Sequence, residues 1–271
     1  MLKTRLFIIA GLALLLGACF NNKSKINKPD ITRDTLSYAY QNIKERAADC
    51  GNKPDTGCTI AKMTYPVFVS QNALNDTIEA RLLNLFLPGN RPANDLLTQA
   101  KNFVADYDKF FLDKRNKKLP RIPFYSATYT KVLRQDSSLV TLQTGGYSFA
   151  GGAHGGTLAF FINWNTKAQK IITLGDIFRT GYKQPLTATA EKIFRKNENL
   201  KDTSSLARDY FFKNNQFALN DNFLITPVGI RFLFNQYEIK PYAAGTTDLF
   251  IPYSSISNLL KPNTVVSQYI K

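Results

Sequence analysis

One stretch of this 271-residue chain concentrates its unusual chemistry. Tyr147 to Gly156 reads YSFAGGAHGG and holds the single histidine, His154, with glycines at 151, 152, 155 and 156. An imidazole can act as a general base, a metal ligand or a hydrogen-bonding strut. Catalysis needs a nucleophile beside the base and a group that orients it. Ser148, Asp176 and Glu238 supply the residue types, yet no GxSxG elbow or other nucleophile motif accompanies them, so no catalytic residue is assigned. Zinc sites draw on several histidines or cysteines, and the sequence has no EF-hand-like loop for calcium. Neither a metal nor a cofactor is expected.

Glycine permits positive φ and close backbone approach, while a neighbouring imidazole can bond a carbonyl or a hydroxyl. Gly151, Gly152, Gly155 and Gly156 therefore favour reading His154 as a buried strut in a bent crossover between two strands. Ligand contact and catalysis stand beside that reading. Tyr147, Tyr237 and Tyr242 could stack on sugar rings or anchor a protein interface. They equally suit core packing and an edge strand over NQYEIKPYAAG, with Pro241 stopping the ladder and Glu238 pairing a cation.

Two further sets of residues carry chemistry. Lys114, Arg115, Lys117, Lys118 and Arg121 crowd the end of an expected helix, where cations complement the backbone dipole. Their density makes them a candidate anion or membrane contact. Cys50 and Cys58, in CGNKPDTGC, read as a disulfide if the chain lies in an oxidising compartment.

The N-terminus points to such a compartment. MLKTRLFIIAGLALLLGACF has a basic start, an apolar run too short to span a bilayer, and small residues before Cys19. Leu16-Gly17-Ala18-Cys19 resembles the bacterial lipobox, which implies cleavage after residue 18 and a lipid on Cys19. Phe20 stands where an inner-membrane retention signal often has aspartate, so the expected location is the cell envelope, anchored at the outer membrane and facing the periplasm. Cleavage removes Lys3 and Arg5 and no acid, lowering the formal charge from +15 to +13. A charge of that sign favours acidic glycans, headgroups or envelope proteins. Nucleic acid is not expected, because no nucleic-acid module accompanies the charge.

Behind these residues stand the elements that must position them. Residues 19–35 read as a polar tether, and folded structure is expected from about Leu36. CTIAKMTYPVF reads as the first strand, and NALNDTIEARLLNLFL as a helix through Leu74, Ile78, Leu82 and Leu85. A second helix is expected with Pro92 in its first turn and a buried stripe of Leu96, Ala100, Phe103, Tyr107 and Phe110. Period-two alternation then predicts three antiparallel strands: PFYSATYTKVLRQ, LVTLQTGGYSFA and GTLAFFINWN. A short strand over Ile171 to Leu174, a helix near Gln184 to Asn197, a hairpin about Thr226 to Gly229, and a final strand with a short helix in DLFIPYSSISNLL complete the chain. The expected fold class is α+β, antiparallel sheets with packed helices: strand, two helices and a meander, then helix plus hairpin.

The ordered set YSFAGGAHG, FINWNTKAQKIITLGDIF and FLITPVGIRFLFNQYEIKPYAAGTTDLFIPYSSISNLL resembles the paired domains of the RsiV and PdaC family. The resemblance implies a PdaC-like part over 36–156 and an RsiV-like part over 157–271, packed together. In that family the domains occur in a lysozyme-sensing anti-sigma factor, beside a polysaccharide deacetylase domain, and alone on lipoproteins. No sigma-binding segment or deacetylase module is recognisable here, so neither activity is carried over. The function expected is a non-enzymatic, lipid-anchored binding module for a cell-wall glycan or an envelope or host protein such as lysozyme. The alternative is a hydrolase or deacetylase of cell-wall polysaccharide.

Overall fold

The computed structural model describes residues 35–86, 93–136 and 138–270. The leader, Cys19, the tether up to residue 34 and Pro92 lie outside the described residues. The fold is α+β, built from a six-stranded mixed sheet and a three-stranded antiparallel sheet. The large sheet runs β1 (Tyr38–Arg46), β2 (Ile60–Phe68), β3 (Tyr125–Gln135), β4 (Leu139–Phe149), β5 (Gly156–Asn165) and β6 (Lys170–Ile171) in spatial as well as chain order.

Two expectations about this sheet are corrected. A strand, β1, precedes CTIAKMTYPVF; its first five residues are exposed, so it has no buried face to produce a period-two signal. The sheet is also not wholly antiparallel, because β2 and β3 run parallel with Ile60 opposite Tyr125. A parallel pair needs a long crossover, which α1 (Asn72–Leu83) and α2 (Leu96–Leu112) supply. Asp95 caps α2 by accepting the Thr98 N–H at 2.7 Å, so the helix opens beyond Pro92. Its stripe is Phe103, Tyr107 and Phe111, at steps of four; Phe110, expected inside, is 38% exposed.

Leu74, Ile78 and Leu82 of α1 meet that stripe and the inner side of the sheet, including Phe68, Leu142 and Trp164, in the first core. The Cys50–Cys58 disulfide closes the connection between β1 and β2, with Cα atoms 5.3 Å apart, and both cysteines belong to this core.

After β5 the short strand β6 ends at Ile171, and Leu174, expected within it, opens α3 (Leu174–Ile177) instead. The reason is a capping box: the Asp176 carboxylate accepts both the backbone N–H and the hydroxyl of Thr173, each at 2.8 Å. Helix α4 (Lys183–Asn197) packs Leu186, Ala190 and Phe194 into the second core, against β7 (Phe223–Ile225), β8 (Gly229–Phe234) and β9 (Thr247–Pro252). Short 3-10 turns over Tyr253–Ser255 and Ser257–Leu259 follow β9.

The sheets meet through side-chain amides. Position 156/157 falls at the start of β5, which pairs with β4 along its length, so the large sheet continues past it. The other edge of β5 is covered chiefly by asparagines. Phe161 N–H donates to Asn222 Oδ1 at 2.9 Å, and Ala159 N–H to Asn235 Oδ1 at 2.8 Å. Asn222 returns its amide to the carbonyls of Ala159 and Leu233. Asn163 of β5 reaches the other way, donating to Phe223 O at 2.7 Å and accepting from Ile225 N–H at 2.9 Å. All three asparagines are buried, where an unpaired amide would be costly.

Candidate functional site

The loop between β4 and β5 carries His154. Gly151 and Gly152 adopt φ of 87° and 91°, a region that favours glycine. Gly155 serves differently: a Cβ there would lie 2.4 Å from the Tyr147 ring and 2.6 Å from the Ser148 carbonyl oxygen. Tyr147 thus packs beneath the loop backbone, and Gly155 is required by contact rather than by φ. Gly156 has open space where a Cβ would stand.

His154 is exposed, which corrects the expectation of a buried strut. Its Nδ1 lies 2.9 Å from Gly155 O. A carbonyl only accepts, so this nitrogen carries the hydrogen and Nε2 is left to accept. The hydroxyl of Tyr237 meets Nε2 at 3.3 Å. Tyr242 stacks on the imidazole with centroids 4.1 Å apart and planes inclined by 22°, and the two tyrosine rings are 5.5 Å apart. Of the residues singled out in sequence, His154, Tyr237 and Tyr242 therefore meet directly.

Tyr237 reaches this position through a turn. The expected edge strand over NQYEIKPYAAG is absent: β8 ends at Phe234, Tyr237 adopts φ 65°, and Tyr242–Ala244 form a 3-10 turn. The strand-like pattern of YEI is overridden by the Glu238 carboxylate, which accepts Asn235 N–H at 2.8 Å and the Asn220 amide at 2.6 Å. Glu238 was expected to pair a cation; its resolved partners are these amides. They hold a left-handed tyrosine that is 57% exposed.

These side chains wall a groove. One part, about 250 Å³, is lined by Phe86, His154, Gly155, Gly156, Thr157, Leu158, Gln236, Tyr237 and Tyr242. It shares Leu158, Gln236 and Tyr237 with a second part of about 520 Å³, which adds Arg81, Phe160, Phe161, Asp221, Glu238 and the amides of Asn220, Asn222 and Asn235. Arg81 lies over the Phe160 ring at 5.8 Å. Flat aromatic faces, several amides and two carboxylates suit a ligand that alternates apolar faces with hydroxyl and amide groups. The contributions of Arg81, Phe86, Asn220, Asp221 and Gln236 were not foreseen; the NDN at 220–222 and the NQ at 235–236 are the sequence signals that could have drawn attention to them.

The remaining candidates lie apart. Ser148 is in β4 opposite Ser126 and Gly156, and Asp176 is held by Thr173 and Lys170; neither is bonded to His154. Among the described residues, no group of three or more His, Cys, Asp or Glu side chains converges as a metal site would. The cations at 114, 115, 117, 118 and 121 line neither part of the groove. They also fall beyond α2, which ends at Leu112, so they do not occupy its last turn as expected. Among the described residues no helix is long and apolar enough to cross a membrane.

Residues 52–157 match the family model described as Deacetylase PdaC, and residues 175–254 match the one described as Protein of unknown function (DUF3298). The chain is 28% identical over 216 residues to Immunogenic protein MPT64 of Mycobacterium tuberculosis, covering 76% of this chain and 89% of that protein. The same figures hold for Immunogenic protein MPB64 of Mycobacterium bovis. A crystal structure of a DUF3298 family member from Bacteroides fragilis shares the fold with TM-score 0.67 at 22% identity, over 88% of this chain and 98% of that one. Another, from Pseudomonas aeruginosa, has TM-score 0.63 at 22% identity, over 85% and 96%. His154 comes from the PdaC match, and Tyr237 and Tyr242 from the DUF3298 match. The groove is assembled from both segments, and the chain is similar to PdaC over the first and to DUF3298 proteins over the second.

Proposed function

We propose that this protein is a non-enzymatic glycan-binding module of the bacterial envelope, held at the membrane by a lipid on Cys19. The observation that carries this reading is the groove, where the His154, Tyr237 and Tyr242 rings stand beside the amides of Asn220, Asn235 and Gln236. Sugar rings offer C–H faces to aromatics and hydroxyls to amides, and the acetamido groups of cell-wall glycan add both donors and acceptors. A binding role is also supported by the engagement of both His154 nitrogens, one with Gly155 O and one with Tyr237. The LGAC motif supports the lipid on Cys19, and Phe20 after it supports an outer-membrane location facing the periplasm.

The test is titration of the full chain with soluble muropeptide fragments and chitotetraose, followed by amide NMR and calorimetry. Shifts should concentrate at 154–158 and 235–242, and Tyr242→Ala should weaken binding roughly tenfold. Shortened or deacetylated glycan after incubation would establish the enzymatic alternative. Metabolic lipid labelling tests the anchor: Cys19→Ser should remove the label, and undiminished label would refute it.

A further inference from the structure

The segment from the end of α2 to the start of β3 presents an arrangement that the groove does not use. Leu112, Leu119 and Ile122 are 69%, 48% and 53% exposed, and Lys114, Lys117 and Lys118 lie between them in sequence, also exposed. Large apolar side chains this open, gathered within eleven positions, are unusual on a surface that meets only water. The turn beneath them is specified by bonds. Asn116 N–H donates to Asp113 O and Leu119 N–H to Asn116 O, each at 2.9 Å, while the Asn116 amide reaches back to Phe110 O at 3.0 Å.

The cations divide into two kinds. Arg115 is paired with Asp113 at 2.7 Å, and Arg121 with Asp49 at 3.2 Å while lying over the Phe111 ring. These arginines brace the protrusion. Lys114, Lys117 and Lys118 make no ion pair among the described residues, so the same eleven-residue segment carries three free ammonium groups and three open apolar side chains. An acidic glycan would match the charge but leave the leucines and isoleucine in water. A bilayer with anionic headgroups matches both features, since lysines remain at the headgroup level while the apolar side chains enter the acyl boundary.

We propose that the 112–122 segment is a membrane-docking protrusion for the anionic headgroup surface of a lipid bilayer, acting in addition to any covalent lipid and independently of the groove. Beyond holding the protein close, such a contact would set the face that the domain turns toward the membrane.

The experiment uses the full chain with Cys19→Ser, so that no lipid is attached, and extruded vesicles of phosphatidylcholine alone or with a quarter phosphatidylglycerol. Residues of the leader contribute equally to every variant, so differences between variants report the segment. Cosedimentation should favour the anionic vesicles and weaken with salt. The triple variant Lys114→Gln, Lys117→Gln, Lys118→Gln should lose roughly a hundredfold in partitioning. Leu112→Ser with Ile122→Ser should also lose binding while leaving the thermal melt unchanged. Independently, an environment-sensitive dye on Leu119→Cys should shift to the blue on anionic vesicles, whereas the same dye on Val228→Cys should not. Binding of the triple variant equal to that of the parent chain, binding indifferent to Leu112 and Ile122, or a dye at 119 that stays in water would each overturn the proposal.

Discussion

Tyr237 donates its hydroxyl to Nε2 of His154 across a separation of 83 residues, joining the β4–β5 loop to the turn after β8. Because the imidazole is exposed, this bond belongs to the groove wall rather than to the core. His154→Ala should change stability by less than about 1 kcal/mol. It should weaken glycan binding several-fold by removing the surface on which Tyr242 stacks. Thermal unfolding and calorimetry on the same samples separate the effects; a large fall in melting temperature would return His154 to an architectural role.

The amide seam sets a different expectation. Asn222→Ala leaves Phe161 N–H without its partner in a buried position, while Ala159 O keeps the Asn235 amide, so the cost is about 1 to 3 kcal/mol for the one group left unsatisfied. Denaturant unfolding should show that loss, and hydrogen exchange should quicken at Phe161. Asn222→Leu, similar in size, should not rescue it. Wild-type stability in either variant would mean that water takes over the bonds.

The Cys50–Cys58 closure should contribute about 2 to 3 kcal/mol by the loop-entropy model. Reduction, or Cys50→Ala with Cys58→Ala, should lower the denaturant midpoint without disturbing the groove. Peptide mapping without reduction should yield one linked pair, and free thiols at both positions would contradict the assignment.

Acid should loosen two local structures. Hydrogen bonds from Lys62 and Lys44 hold the Asp55 carboxyl at about 2, below the ordinary 3.8. Burial alone would raise Asp176, but Lys170 and the two Thr173 donors outweigh it and hold that group at about 2 as well. Stability from a depressed carboxyl is complete above about pH 4 and declines as pH falls toward 2. Asp176→Asn should cost about 1 kcal/mol at neutral pH through the weakened cap and flatten the acid limb of the stability profile. An acid limb identical to that of the wild type would reject this account.

Local pattern made some elements legible and hid others. Helix α4 could be placed almost to the residue because Leu186, Ala190 and Phe194 recur every fourth position on a buried face. Strand β1 could not, since it has no such face. The choice between Phe110 and Phe111 turned on one step of helical phase, which adjacent aromatics leave ambiguous. The parallel pairing of β2 with β3 belongs to tertiary structure, and no periodicity within either strand announces it. At the site, residue type was enough to single out His154, Tyr237 and Tyr242. The left-handed turn that presents Tyr237 was concealed because Glu238 and Asn220, 18 positions apart, act on it together.

The covering of β5 has a consequence for how the chain must be assembled. GTLAFFINWN is rich in apolar and β-favouring residues, and an uncovered edge of that composition is a template for self-association. The caps on Thr157, Phe161 and Ala159 arrive from Gln236, Asn222 and Asn235, separated from them by 79, 61 and 76 residues. During synthesis the first sheet can be complete while that edge is still open, so the later half acts as an intramolecular guard. A chain ending before Asn222 should accordingly multimerise through β5 rather than persist as a folded monomer.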